Sequence, residues 1–166
     1  MQKRENDMRI TLAVVGKIKE KYFSMAIEEY TKRLSRYVKL EIIEVPDEKT
    51  PDGASEAVEE QIKQREAERL LKNIREDAYV ITLEIEGKML DSVELAEKIE
   101  SIGVSGHGSI VFVIGGSLGL HRSVSDRADF KLSFSKMTFP HQLMRVILLE
   151  QIYRSYRILN HEPYHK

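Results

Sequence analysis

The sequence predicts an α/β fold, a parallel sheet flanked by helices, and three observations carry that prediction. Short β-rich apolar runs alternate with longer stretches whose apolar residues recur at three- and four-residue steps. One run, Ser109-Ile-Val-Phe-Val-Ile114, is apolar on both faces, as a parallel strand covered by helices on each side must be. The chain has 166 residues, 42% hydrophobic and 32% charged, a size and balance suited to one domain around one core.

The β pattern starts abruptly at Met8 and runs over Arg9 to Val15, so residues 1–7 are expected to be a polar tail and 8–166 a single domain. Lys21 to Tyr37 carries Phe23, Ile27, Tyr30, Leu34 and Tyr37 at helical spacing, and Lys39 to Val45 reads as the next strand. Pro46 to Gly53 breaks the chain. Ala54 to Asn73 is then a charged helix with one buried edge of Val58, Ile62, Ala67, Leu70 and Leu71, and 50–73 is the candidate for an inserted or flexible element. Ala78 to Ile85 is a third strand, closed by a turn at Glu86-Gly-Lys88. Asp91-Ser-Val-Glu94 forms a capping box opening a helix through Ile102. The strand at 109–114 is expected to be central. After it come the glycine loop Gly115-Gly-Ser-Leu-Gly119, a short helix near Ser123 to Ala128, a strand near Lys131 to Ser135 and a long helix from His141 to about Ile158.

Composition excludes several functions. The longest apolar runs, such as Ile110 to Ile114, fall far short of the roughly 20 residues of a membrane-spanning helix. The N-terminus lacks the apolar stretch of a secretory signal, so the expectation is a cytoplasmic protein without a membrane partner. With no cysteine, disulfides, thiolate metal sites and thiol nucleophiles are ruled out, and the scattered histidines show no metal-ligand spacing. The net charge of −1 conceals an asymmetry: 10 Lys or Arg against 5 Asp or Glu in residues 1–40, 10 against 20 in 41–130, and 6 against 2 in 131–166. If the two ends meet, they form a positive face suited to phosphate or RNA.

Two loops stand where ligands of open parallel sheets bind, at the carboxyl ends of strands. Gly115-Gly-Ser-Leu-Gly119 lacks the Rossmann spacing and the P-loop lysine, and is either a tight turn or a ligand cradle. Phe134-Ser-Lys-Met-Thr-Phe-Pro-His141 presents backbone groups able to read a purine edge; its bland reading makes Ser135 and Thr138 turn formers and Met137 and Phe139 core. The helix from His141 is apolar around most of its circumference, which implies burial by its own sheet and by something else, expected to be a second copy of the chain. Tyr153-Arg-Ser-Tyr-Arg157 suits either base stacking and phosphate pairing or interface packing.

These segments, together with Val113-Ile-Gly-Gly-Ser-Leu-Gly119, Leu132 to Arg145, Glu150-Gln-Ile-Tyr-Arg154 and the terminal Pro163-Tyr-His-Lys166, resemble the SPOUT-class methyltransferases that modify N3 of a pseudouridine in large-subunit ribosomal RNA. The resemblance runs from Met8 to Lys166. It implies a deep trefoil knot in the C-terminal half, a homodimer, S-adenosyl-L-methionine as cofactor and 23S rRNA within the ribosome as partner. Carried over by position, the cofactor contacts fall on Leu83, Gly115 and the run Phe134, Ser135, Lys136, Met137, Thr138 and Phe139, with main-chain recognition expected in that run. Proton removal from the substrate imide needs a base, with candidates His141, His165 and Glu150, while Arg145 or Arg154 can stabilise the resulting anion. The contrary expectation, from another class, is a non-catalytic ribosome- or RNA-binding α/β protein.

Overall fold

The computed structural model describes residues 8–166; the expected tail at 1–7 lies outside the described residues. Ten elements follow in order: β1 (Arg9–Val15), α1 (Lys21–Leu34), β2 (Lys39–Val45), α2 (Glu56–Leu71), β3 (Tyr79–Met89), α3 (Ser92–Val104), β4 (Ser109–Ile114), α4 (Arg122–Arg127), β5 (Phe130–Ser133) and α5 (His141–Leu159). All strand pairs are parallel, in the order β2-β1-β4-β3-β5, which puts β4 at the centre as its two apolar faces require.

Alternation along the strands fills two cores. Ile10, Leu12 and Val14 of β1 and Ile110, Phe112 and Ile114 of β4 point to one face, where α1, α3 and α5 bring Leu34, Ile99, Leu148 and Ile152. Ala13 and Val15 of β1 and Val111 and Val113 of β4 point to the other, covered by Ala67 and Leu70 of α2 and Val124 of α4. Each fully buried Leu, Ile or Phe contributes roughly 1.5–3 kcal/mol. The stretch 50–73 is therefore no inserted element: its helix supplies most of one face's cover. The capping box of α3 forms as the sequence predicts, with Asp91 and Glu94 exchanging side chain-to-backbone hydrogen bonds.

The expected turn at Glu86-Gly-Lys88 is absent, because β3 continues to Met89. Its register against β5 slips between Leu83 and Lys88, and pairing resumes as Lys88 with Leu132 and Met89 with Ser133. Gly87 allows this, since a Cβ there would lie 2.7 Å from the Lys131 carbonyl oxygen. The sheet, α1 and α3 bury Met144, Leu148, Leu149 and Ile152 of α5, while Leu143, Val146 and Ile147 stay partly exposed. No helix of the described residues is long and apolar enough to cross a membrane.

Candidate functional site

The carboxyl ends of β3, β4 and β5 open into one cavity of about 650 Å³, within the range of small-molecule sites. The end of β3 contributes Leu83, Glu84 and Ile85; the loop after β4 contributes Gly115 to Leu120; the loop after β5 contributes Phe134, Ser135 and Met137 to His141. The glycine loop is both a tight turn and a wall. Gly116 and Gly119 bridge, Gly119 adopts φ +86°, and a Cβ on Gly115 would lie 2.9 Å from the Gly119 carbonyl oxygen. In the loop after β5, Ser135 forms a local turn by accepting from the Met137 N–H at 3.0 Å. The core reading of Met137 and Phe139 fails: they are 72% and 37% exposed.

Leu83, Gly115, Phe134, Ser135, Met137, Thr138 and Phe139 thus border a single space, while Lys136 is exposed and lies outside the lining. The lining side chains are largely apolar, and its titratable members are Glu84 and His141. His141 opens α5 with Nδ1 buried and without a hydrogen-bond partner. Burial holds its pKa below the usual 6.5, the neighbouring Arg145 charge pushes the same way, and Asp47 opposes them. The imidazole is therefore kept neutral. Among the described residues no cluster of His, Asp and Glu gathers as a metal site.

Arg145, one turn further along α5, is 1% exposed and does not border the cavity. It donates to the Val15 and Gly16 carbonyls at 2.8 Å each and to Glu44 at 2.9 Å, clamping the ends of β1 and β2 beneath His141. Sequence reasoning missed two acids here. Glu66 is buried on α2, where it accepts from the Glu48 N–H at 3.1 Å, and burial raises its carboxyl pKa. Its spacing with Ile62 and Leu70, four residues each way, was the available signal. Glu84 had none beyond standing next to Leu83.

Arg154 and His165 lie elsewhere. Thirteen residues of helix, roughly 20 Å, separate Arg154 from His141. Arg154 pairs with Glu150, sits 4.7 Å from the Tyr164 ring centroid and lies 3.1 Å from His165 Nδ1. The C-terminal segment is docked on α5: Tyr164 packs edge-on against Tyr153 and donates to Glu150 at 3.1 Å, and burial leads the effects that raise its phenol pKa to about 12. The two basic ends do meet, since Arg33 and Arg157 flank Tyr153 and Arg36 faces Glu162. Their charge is muted, because Arg33, Arg154 and Arg157 are each paired with a glutamate.

The chain matches, over residues 8–165, the profile of a family described as "Predicted SPOUT methyltransferase". It is 63% identical over 159 residues to the ribosomal RNA large subunit methyltransferase H of Bifidobacterium adolescentis and 60% identical to that of Alkaliphilus oremlandii, covering 96% of this chain and 100% of each relative. Among solved structures it is similar to a "probable methylase family protein" from Haemophilus influenzae, with a TM-score of 0.53 and 16% identity, covering 97% of this chain and 71% of the other, a likeness of fold alone.

Proposed function

The chain belongs to the SPOUT methyltransferase family, and on that footing we propose that it transfers the methyl group of S-adenosylmethionine to N3 of a pseudouridine in 23S ribosomal RNA, on the ribosome in the cytoplasm. The observation that carries this reading is the convergence of three strand ends on one cavity whose wall includes Gly115, Gly116 and Gly119. The cavity fits such a cofactor: it has the volume of a small-molecule site and a largely apolar lining in which Phe134 and Phe139 offer surface for the base.

When bound, S-adenosylmethionine supplies a methyl group on a cationic sulfur that is already an activated leaving group. The chain has two tasks left. It must hold the substrate nitrogen in line with that methyl, which can lower the barrier by roughly 7–11 kcal/mol, and it must take the imide proton, worth roughly 10²- to 10⁴-fold. His141 is the base candidate that borders the cavity, and its depressed pKa keeps it able to accept a proton at neutral pH. Arg145, committed to its clamp, acts as a positioning residue for His141. Arg154, Arg157 and His165, beside the aromatic cluster of Tyr153 and Tyr164, serve the RNA substrate.

The trefoil knot is supported by the path of the chain. β4 and β5 lie on opposite sides of β3, the connection through α4 runs on one face, and α5 returns on the other. A homodimer is supported by Tyr22 and Met25 of α1, 66% and 58% exposed on the helix packed beside α5. Methyl incorporation from labelled S-adenosylmethionine into intact ribosomes, separated subunits and naked RNA tests the function. Label entering the large-subunit RNA is the expected result, and no incorporation into any of the three overturns it.

A further inference from the structure

Glu84 contributes the one carboxylate among the residues lining the cavity, and the lining contains no lysine or arginine to neutralise it. A carboxylate at the border of a largely apolar cavity is costly unless hydrogen-bond donors surround it. Two are present. The Thr82 hydroxyl, on a fully buried residue, donates to Oε2 at 2.6 Å, and the Ser125 hydroxyl of α4 lies 2.8 Å from Oε1 and 3.1 Å from Oε2. Among the described residues Glu84 has no ion pair. Two hydroxyl protons fill about half of the roughly four acceptor positions of a carboxylate, leaving about two, held in a fixed orientation.

A vicinal diol supplies two O–H donors on adjacent carbons, a pair that a single carboxylate can accept. Adenosine carries such a diol on its ribose, next to a base for which Phe134 and Phe139 offer apolar surface in the same cavity. We propose that Glu84 is a ribose subsite, its carboxylate, oriented by Thr82 and Ser125, accepting the 2′- and 3′-hydroxyls of the methyl donor's adenosine. This rests on the reading of the cavity as an S-adenosylmethionine site and adds the residue that selects a ribonucleoside.

Calorimetric binding of S-adenosylmethionine, S-adenosylhomocysteine, adenosine and 2′-deoxyadenosine to the full chain and to Glu84→Gln tests it, with thermal unfolding of both proteins as the folding control. The wild-type protein should bind adenosine roughly tenfold or more tightly than 2′-deoxyadenosine, as expected for hydrogen bonds to a charged group. Glu84→Gln should lose a similar factor for every ligand with the intact diol and little further for the deoxynucleoside. The deoxynucleoside comparison on wild-type protein stands even if the variant does not fold. Equal wild-type affinity for adenosine and its 2′-deoxy analogue overturns the subsite. So does a loss in Glu84→Gln confined to the ligands with an amino-acid arm, which would make Glu84 a partner of the ammonium. If the wild-type protein binds none of the four, the reading of the cavity itself fails, and the subsite with it.

Discussion

His141 begins α5 with one ring nitrogen buried and unpartnered, in surroundings that penalise its charged form. Its folded pKa lies below the unfolded value of about 6.5, so the unfolded state binds the proton more readily; the contribution to stability is complete above about pH 6.5 and is lost as pH falls through the depressed folded value. In His141→Asn, urea unfolding should show a smaller stability difference between about pH 7.5 and about pH 5 than wild type. An unchanged difference would mean that the imidazole is not held neutral by burial. At Gly115 the steric argument differs from simple occlusion of the cavity. Because a Cβ would meet the Gly119 backbone at 2.9 Å, Gly115→Val should deform the glycine loop itself, costing roughly 1–3 kcal/mol of stability as well as methyl-donor affinity. Calorimetry and urea unfolding on one preparation separate the two effects, and unchanged affinity in the folded variant would remove Gly115 from the site. The loops were legible because glycine and proline punctuate them. Arg145 was not, since a cation in an apolar helix reads equally as a catalytic group or as a clamp.

The elements whose pattern is set by local spacing were legible in the sequence: β1, β2 and β4 fall where the apolar runs place them, and the capping box of α3 forms as read. The extension of β3 was not legible. Glu86-Gly-Lys88 has turn composition, and only the approach of β5 at the Lys131 carbonyl makes the same glycine a strand residue. The charged α2 hid its role likewise, since a narrow edge of Ile62, Ala67 and Leu70 is enough to cover one face of the sheet. At the end of α5, Tyr164 and His165 are held by Tyr153, Glu150 and Arg154 rather than trailing free. Deleting Pro163 to Lys166 should leave methyl-donor affinity intact, lower stability by about 1 kcal/mol through the lost aromatic contact and hydrogen bond, and strongly reduce methyl transfer to ribosomes. A truncated protein that methylates ribosomes at the full rate would show the segment to be structural only.

Across the molecule, the charge asymmetry of the sequence becomes geometry, because α1 packs on α5 and brings the two basic ends together over a shared tyrosine cluster. The glutamates that pair with those arginines stand only four or five residues away in the sequence; what the sequence could not show is the strand order that places β3 between β4 and β5, since it depends on contacts far apart in the chain. A pair of protomers is expected to associate through the exposed residues of α1 and the adjoining face of α5. Light scattering at micromolar concentration should therefore give twice the 19.2 kDa chain mass. A stable monomer that still transfers methyl groups would contradict that expectation. The central claim, a methyl group placed on N3 of a pseudouridine, is tested most directly by digesting 23S RNA from ribosomes incubated with the protein and S-adenosylmethionine, and identifying the modified nucleoside by mass spectrometry against synthetic standards. The account predicts N3-methylpseudouridine, formed only when protein and methyl donor are both present; unmodified pseudouridine, or the methyl group on any other nucleoside, would contradict it.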